Sequence, residues 1–145
     1  MFTEEMTAAI AIADVINRTN NDNTNTNSIG VDMSRFKRGM YIIVNTGGTG
    51  TINGRLQAAL NANFNVLTNI TGSNLNATNT NNGVQTVEVR ADQLSAGTKF
   101  VRLQLTGSVA AVNVQALGLF SESHYKPGSQ FNLNASTVLG QVITS

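Results

Sequence analysis

The chain has no cysteine, no tryptophan, one proline (Pro127) and one histidine (His124) in 145 residues. Without cysteine there are no disulfides, no thiolate nucleophile and no cysteine-based zinc site. A single histidine excludes a multi-histidine metal site and a histidine dyad. Charged residues make up 12%, half of the roughly 25% usual in soluble domains. The net charge of +1 lays down no broad basic footprint for nucleic acid. Long apolar runs are also missing: Ala8–Ile16 is interrupted by Asp14 and falls short of the ~20 residues that cross a bilayer. The first residues carry Glu4 and Glu5 where a secretory signal peptide would be positive. These absences lead us to expect a protein made in a cytoplasm, with no cofactor, no nucleic-acid partner and no membrane partner.

What is present is a globular share of apolar residues, 41% with a mean hydropathy of -0.05, and an unusual polar fraction of 20 Asn and 17 Thr. The length suits one domain, since domains commonly run ~100–200 residues. Val, Ile, Thr, Phe and Leu recur in short alternating runs between Gly/Asn/Thr/Ser clusters, the pattern of an all-β chain. Thr86–Arg90 places Val87 and Val89 on one face and Glu88 and Arg90 on the other. In Lys99–Thr106, Val101, Leu103 and Leu105 alternate with Phe100, Arg102 and Gln104, and the first three are expected inside. Val109–Phe120 is apolar on both parities, as in a strand covered on both faces, although Asn113 and Gln115 leave the second face only partly dry. Gly39–Asn45 reads as a buried strand, Gly54–Leu60 carries Leu56, Ala58 and Leu60 in phase, and Phe64–Ile70 reads as the next strand.

Asn and Gly tolerate the positive φ of tight turns, so Gly47–Gly50 and the polar run Ser73–Gly83 are expected as hairpin loops. Seven or eight strands at this spacing predict a single β-sandwich of jelly-roll or related Greek-key topology. Residues 4–17 fit a helix through Ala8, Ile12 and Val15 or Ile16, and fit an extended strand equally through Ile10, Ile12 and Asp14. Asp92–Ala96 fits a single closing turn, and the alternating Thr of Arg18–Ser28 fits an edge strand or an irregular segment. The division expected is an N-terminal segment and polar linker at 1–27, a sandwich at 28–125 and a C-terminal arm at 126–145.

Catalytic constellations are hard to assemble from these residues. His124 sits between Ser123 and Tyr125, but no Gly-x-Ser-x-Gly elbow supplies a nucleophile for it. Glu88 and Asp92 read as a surface pair and a turn residue rather than as the two carboxylates that flank a glycosidic bond. Gly47-Gly48-Thr49-Gly50 lacks the Gly-Lys-Ser/Thr that opens a phosphate-binding helix. Asn21-Asp22-Asn23 offers one carboxylate where a calcium loop clusters several. The Asn-x-Ser/Thr matches, such as Asn69-Ile70-Thr71, are what such a composition produces by chance. Arg35, Lys37 and Arg38 surround Phe36 in the only basic cluster, read as outward cations at a strand entrance with Phe36 in the core. A partner for those cations would be an acidic protein surface or a phosphate backbone.

The stretch Val87–Leu103 (VEVRADQLSAGTKFVRL), with Val31–Arg38 before it and Ala116-Leu117-Gly118 and Tyr125-Lys126-Pro127 after it, resembles the small head decoration, or cement, proteins of tailed bacteriophages. The similarity covers roughly residues 28–127. It implies a β-sandwich on the outer surface of the virion, with the major capsid protein and itself as partners, usually as a homotrimer, and no enzymatic activity. The Asn/Thr-rich segments 18–28 and 73–83 depart from the pattern. On this reading the contacts with capsid or neighbouring subunit fall on Phe2, Ile10 and Ile12 near the N-terminus, on Arg35, Lys37 and Arg38, and on Tyr125. The arm adds Phe131, Leu133, Val138, Leu139, Val142 and Ile143, a sparse apolar set that needs another surface to bury it. The alternative reading is a carbohydrate-binding sandwich or a tail or fibre adhesin. Sugar-binding faces usually present several aromatics. With two Tyr and six Phe, and Phe36, Phe64 and Phe120 expected in the core, few remain for such a face.

Overall fold

β-Branched and aromatic residues favour a pleated, half-buried backbone, and the described residues are built mainly of strands. The computed structural model describes residues 9–20, 25–108 and 110–123. Among these lie β1 (Ala11–Asn20), β2 (Asn25–Asn27), β3 (Val31–Asp32), β4 (Phe36–Gly48) and β5 (Ile52–Ala59). They are followed by β6 (Leu67–Asn69), β7 (Leu75–Thr78), β8 (Val84–Arg90), β9 (Phe100–Gly107) and β10 (Val112–Ser123). A single 3-10 turn, Ala91–Gln93, closes β8 where the sequence places one.

The strands make two antiparallel sheets. The first has the order β1-β10-β4-β8; the second has β2-β9-β5-β6, with β3 also on β9 and β7 also on β5. Because β2 and β3 share one side of β9, and β6 and β7 share the far side of β5, each pair acts as one interrupted strand. Ten segments therefore fill eight positions in two four-position layers, the strand order of a jelly roll. Ser73 bridges the interruption between β6 and β7. Its Oγ accepts from Leu56 N at 3.0 Å and donates to the Ile70 carbonyl at 2.7 Å, so a side chain supplies the bond that a continuous strand would make.

Period-2 alternation turns Tyr41 and Ile43 of β4 and Val112, Val114 and Phe120 of β10 against Leu56 of β5 and Val101, Leu103 and Leu105 of β9, all buried. Phe120 sits at the aromatic centre, with ring centroids 5.6 Å from Phe36 and 5.7 Å from Tyr41, the latter edge-on. Gly39 lies opposite Phe120 in register, and any Cβ there would strike the Phe120 ring. Ser28 joins the layers from within, its Oγ 3.2 Å from the Tyr41 hydroxyl and accepting from Leu103 N at 2.9 Å.

Several expectations change. Ala11–Asn20 is a strand, and a bulge between Ile12 and Asp14 explains its ambiguous pattern; residues 4–8 of that reading lie outside the described residues. The extra residue flips the parity, so that Ala11 and Ile16 are both buried. β1 and β2 are paired members of the sheets, so the sandwich begins before residue 28, where the sequence reading placed its start. Gly47–Gly50 is not a hairpin loop, because β4 and β5 lie in different sheets. It is a corner, tied to the β9–β10 connection by Gly50 N to Ala111 O at 2.7 Å. Ser73–Gly83 is likewise no hairpin tip: it contains buried Ser73 and β7, then crosses to the first sheet. Leu60 lies past the end of β5 and is 61% exposed, while Phe64–Ile70 is mostly a loop, with Val66 81% exposed. Phe64 is buried but outside the inter-sheet core; Phe36 and Phe120 are within it.

Candidate functional site

The two sheets turn very different faces to the outside. On the first sheet the residues alternating with the core include Met40, Ile42 and Val44 of β4 and Leu117 and Leu119 of β10, all half-buried. Register aligns Leu119 with Met40 and Leu117 with Ile42, and Ile12 of β1 lies opposite Leu119. Val84 of β8, 60% exposed, faces Val44. This is a continuous apolar patch on the outside of a sheet, the arrangement that marks interaction surfaces.

Charge gathers at one end of that patch. Arg38 Nε binds Glu122 Oε1 at 3.0 Å, and Arg38 Nη1 lies 3.9 Å from Glu88 Oε1. Arg90 clamps Asp92 through Nε at 3.0 Å and Nη2 at 2.6 Å. The hydrogen bond from Arg90 holds the Asp92 carboxyl below the usual carboxylate range, and the same bond raises the Arg90 guanidinium. Ile10, Arg38, Met40, Glu88 and Leu119 line a shallow groove of about 260 Å³ at this end. β1 begins there, with Ala11 opposite Phe120, and β10 ends there, with Ser123 opposite Phe36. The points from which both chain ends continue thus lie beside the patch.

The second sheet's outer face is polar. β5 and β9 carry the same tripeptide, Arg55-Leu56-Gln57 and Arg102-Leu103-Gln104. Antiparallel register sets Arg55 against Gln104 and Gln57 against Arg102. Each Arg Nε donates to the facing Gln Oε1, at 3.1 and 3.0 Å. Each Gln Nε2 then donates to an Asn Oδ1 at 3.4 Å, Gln104 to Asn27 on β2 and Gln57 to Asn69 on β6. Two relays of identical composition therefore run in opposite directions across the sheet. Gln57 and Gln104 are buried within them, at 3% and 6% exposure.

Phe64 covers one relay. Its backbone is left-handed (φ 53), and its ring packs 4.4 Å from the Arg102 guanidinium carbon, within cation–π range. Gly30 makes room, since a Cβ there would come within 2.5 Å of the Phe64 ring. Burial pulls the Arg102 guanidinium down from its ordinary value. Among the described residues neither Arg55 nor Arg102 is paired with a carboxylate. Asp32, the one acid on these strands, turns its Oδ1 to Ser34 N at 3.0 Å.

Of the residues expected at interfaces, Ile10, Ile12 and Arg38 fall on the first sheet's outer patch or its rim. Arg35 and Lys37 are exposed with Phe36 buried between them, as the strand-entrance reading expects. Phe2, His124, Tyr125, Phe131, Leu133, Val138, Leu139, Val142 and Ile143 lie outside the described residues. Sequence reading missed Met40, Ile42, Leu117 and Leu119 as a surface. It also missed the paired relays, whose signal was the repeated Arg-Leu-Gln. Among the described residues, no group of three or more acids or histidines is placed to hold a metal. No family model matches the chain, and no curated protein matches it significantly.

Proposed function

We propose that this chain is a structural protein of a tailed-phage virion, binding the outside of the assembled capsid and stabilising it as a homotrimer, with no enzymatic activity. The observation that carries the reading is the apolar outer face of the first sheet with ion pairs at one end. An apolar centre flanked by charged groups, here at one end, fits the anatomy of a protein–protein contact. The resemblance of residues 28–127 to decoration proteins supplies the class of partner. Binding to the assembled lattice in preference to free subunits stabilises the shell by mass action.

The test is co-sedimentation with purified heads that lack a decoration protein. The wild-type chain is expected to pellet with them and to raise the temperature at which they release DNA. Ile42→Glu with Leu117→Glu should abolish pelleting while leaving the domain folded, because both side chains lie outside the inter-sheet core. Removal of residues 129–145 should weaken pelleting, and sedimentation equilibrium should give the mass of three 15.3 kDa chains. A double variant that binds heads like wild type would overturn this use of the first sheet.

A further inference from the structure

The geometry points to the outer face of the second sheet as a binding site for an acidic oligosaccharide, centred on Arg55. The two relays consume Arg Nε, Gln and Asn oxygen atoms. They leave over the terminal guanidinium nitrogens and the Asn amide nitrogens, which are donors without exception. A surface with surplus donors, two half-buried arginines and, among the described residues, no carboxylate paired with them complements a ligand rich in acceptors and negative charge. Because each Arg is held through Nε, its remaining fork is already oriented, and little side-chain entropy is lost on binding.

Beside Arg55 the face is concave. A groove of about 370 Å³ is lined by Asn53, Gly54, Arg55, Asn74, Leu75 and Thr106, within the size range of small-ligand sites. The guanidinium would take a carboxylate, and the Asn53 and Asn74 amides would take neighbouring hydroxyls. Arg102 lies diagonally across the β5–β9 ladder, roughly 7–8 Å away by sheet geometry, where a second acidic group on the same chain can reach it. A saccharide fits better than an acidic protein, because protein interfaces bury an apolar centre. Among the described residues the apolar sheet face lies on the other sheet, and the exposed Leu60, Val66 and Leu67 stand at the opposite end of β5 from the groove.

The experiment is calorimetric titration of the full-length protein with oligogalacturonate, with an uncharged malto-oligosaccharide of equal length and with oligoglutamate. Oligogalacturonate should bind, more weakly as salt rises, and the neutral sugar should not. Arg55→Gln should weaken binding at least about tenfold, the loss expected for a charged hydrogen bond. Asn53→Ala, which removes a groove wall that makes no relay bond, should weaken it less. Its thermal midpoint should be unchanged, which keeps the test decisive if Arg55→Gln folds poorly. The assignment is overturned if oligogalacturonate does not bind, if both variants bind like wild type, or if oligoglutamate binds as tightly. Head binding is a separate measurement, so failure here leaves the reading of the first sheet standing.

Discussion

The two outer faces are built on the same alternation yet carry opposite chemistry. On the first sheet the centre of the outer face is again apolar, through Met40, Ile42, Leu117 and Leu119, with Thr86 and Gln115 beside it and the charges in ion pairs at one end. On the second sheet the same positions hold Arg55, Gln57, Arg102 and Gln104, satisfied by one another and by Asn. No charged residue occurs between Arg55 and Glu88, so the polar groups on the β6–β7 side of the second sheet are amides and hydroxyls. A jelly roll needs only one face of each sheet for its core. The other two faces are free to differ, and here one suits a protein surface and the other a hydrophilic anion.

Disruption of the shared core should remove both faces together. Phe120→Ala empties the centre of the aromatic cluster and is expected to cost about 3–5 kcal/mol, read by urea denaturation, with head binding and sugar binding falling in parallel. A smaller loss is expected from Ser73→Ala, which strips the buried Leu56 N–H of its partner and should cost about 1–3 kcal/mol. That variant loosens the β6–β7 side of the second sheet, so sugar binding should suffer while head binding persists. Gln57→Leu cuts one relay and leaves Arg102 Nε and Asn69 unpaired; about 1–2 kcal/mol of destabilisation should leave the other relay, Arg55–Gln104–Asn27, intact.

The smallest effect concerns the charged rim. The Asp92 carboxyl has a lowered folded pKa, so whatever stability it lends is present above its unfolded pKa and is lost as pH falls through the folded value. Carbon-detected NMR titration should place its midpoint below the ~3.9 of a free aspartate, and Arg90→Gln should return it toward that value. Since both side chains are at least half exposed, the accompanying change in stability should be slight.

Local alternation carried much of the fold. Val101, Leu103 and Leu105 are buried as their parity demands, Phe36 is inside with Arg35 and Lys37 outside, and the turn after β8 is where Asp92 suggests. Alternation does not say which sheet a strand joins, so the β4–β5 corner looked like a hairpin. Phe64 broke the pattern because a left-handed backbone turns it back over the sheet, leaving its neighbour Val66 exposed. Met40, Ile42, Leu117 and Leu119 were legible as apolar but not as surface, since a strand that is apolar on both parities reads the same whether its second face is covered by its own chain or by a partner. The Arg-Leu-Gln pair became a site only once register placed β5 beside β9.

The most direct test of this division is a cryo-electron microscopy map of undecorated heads incubated with the protein. The expected result is density on the outer shell with Met40, Ile42 and Leu117 against the capsid and Arg55 and Arg102 turned toward solvent. Density with the second sheet against the shell, or heads that stay bare at saturating protein, would contradict it.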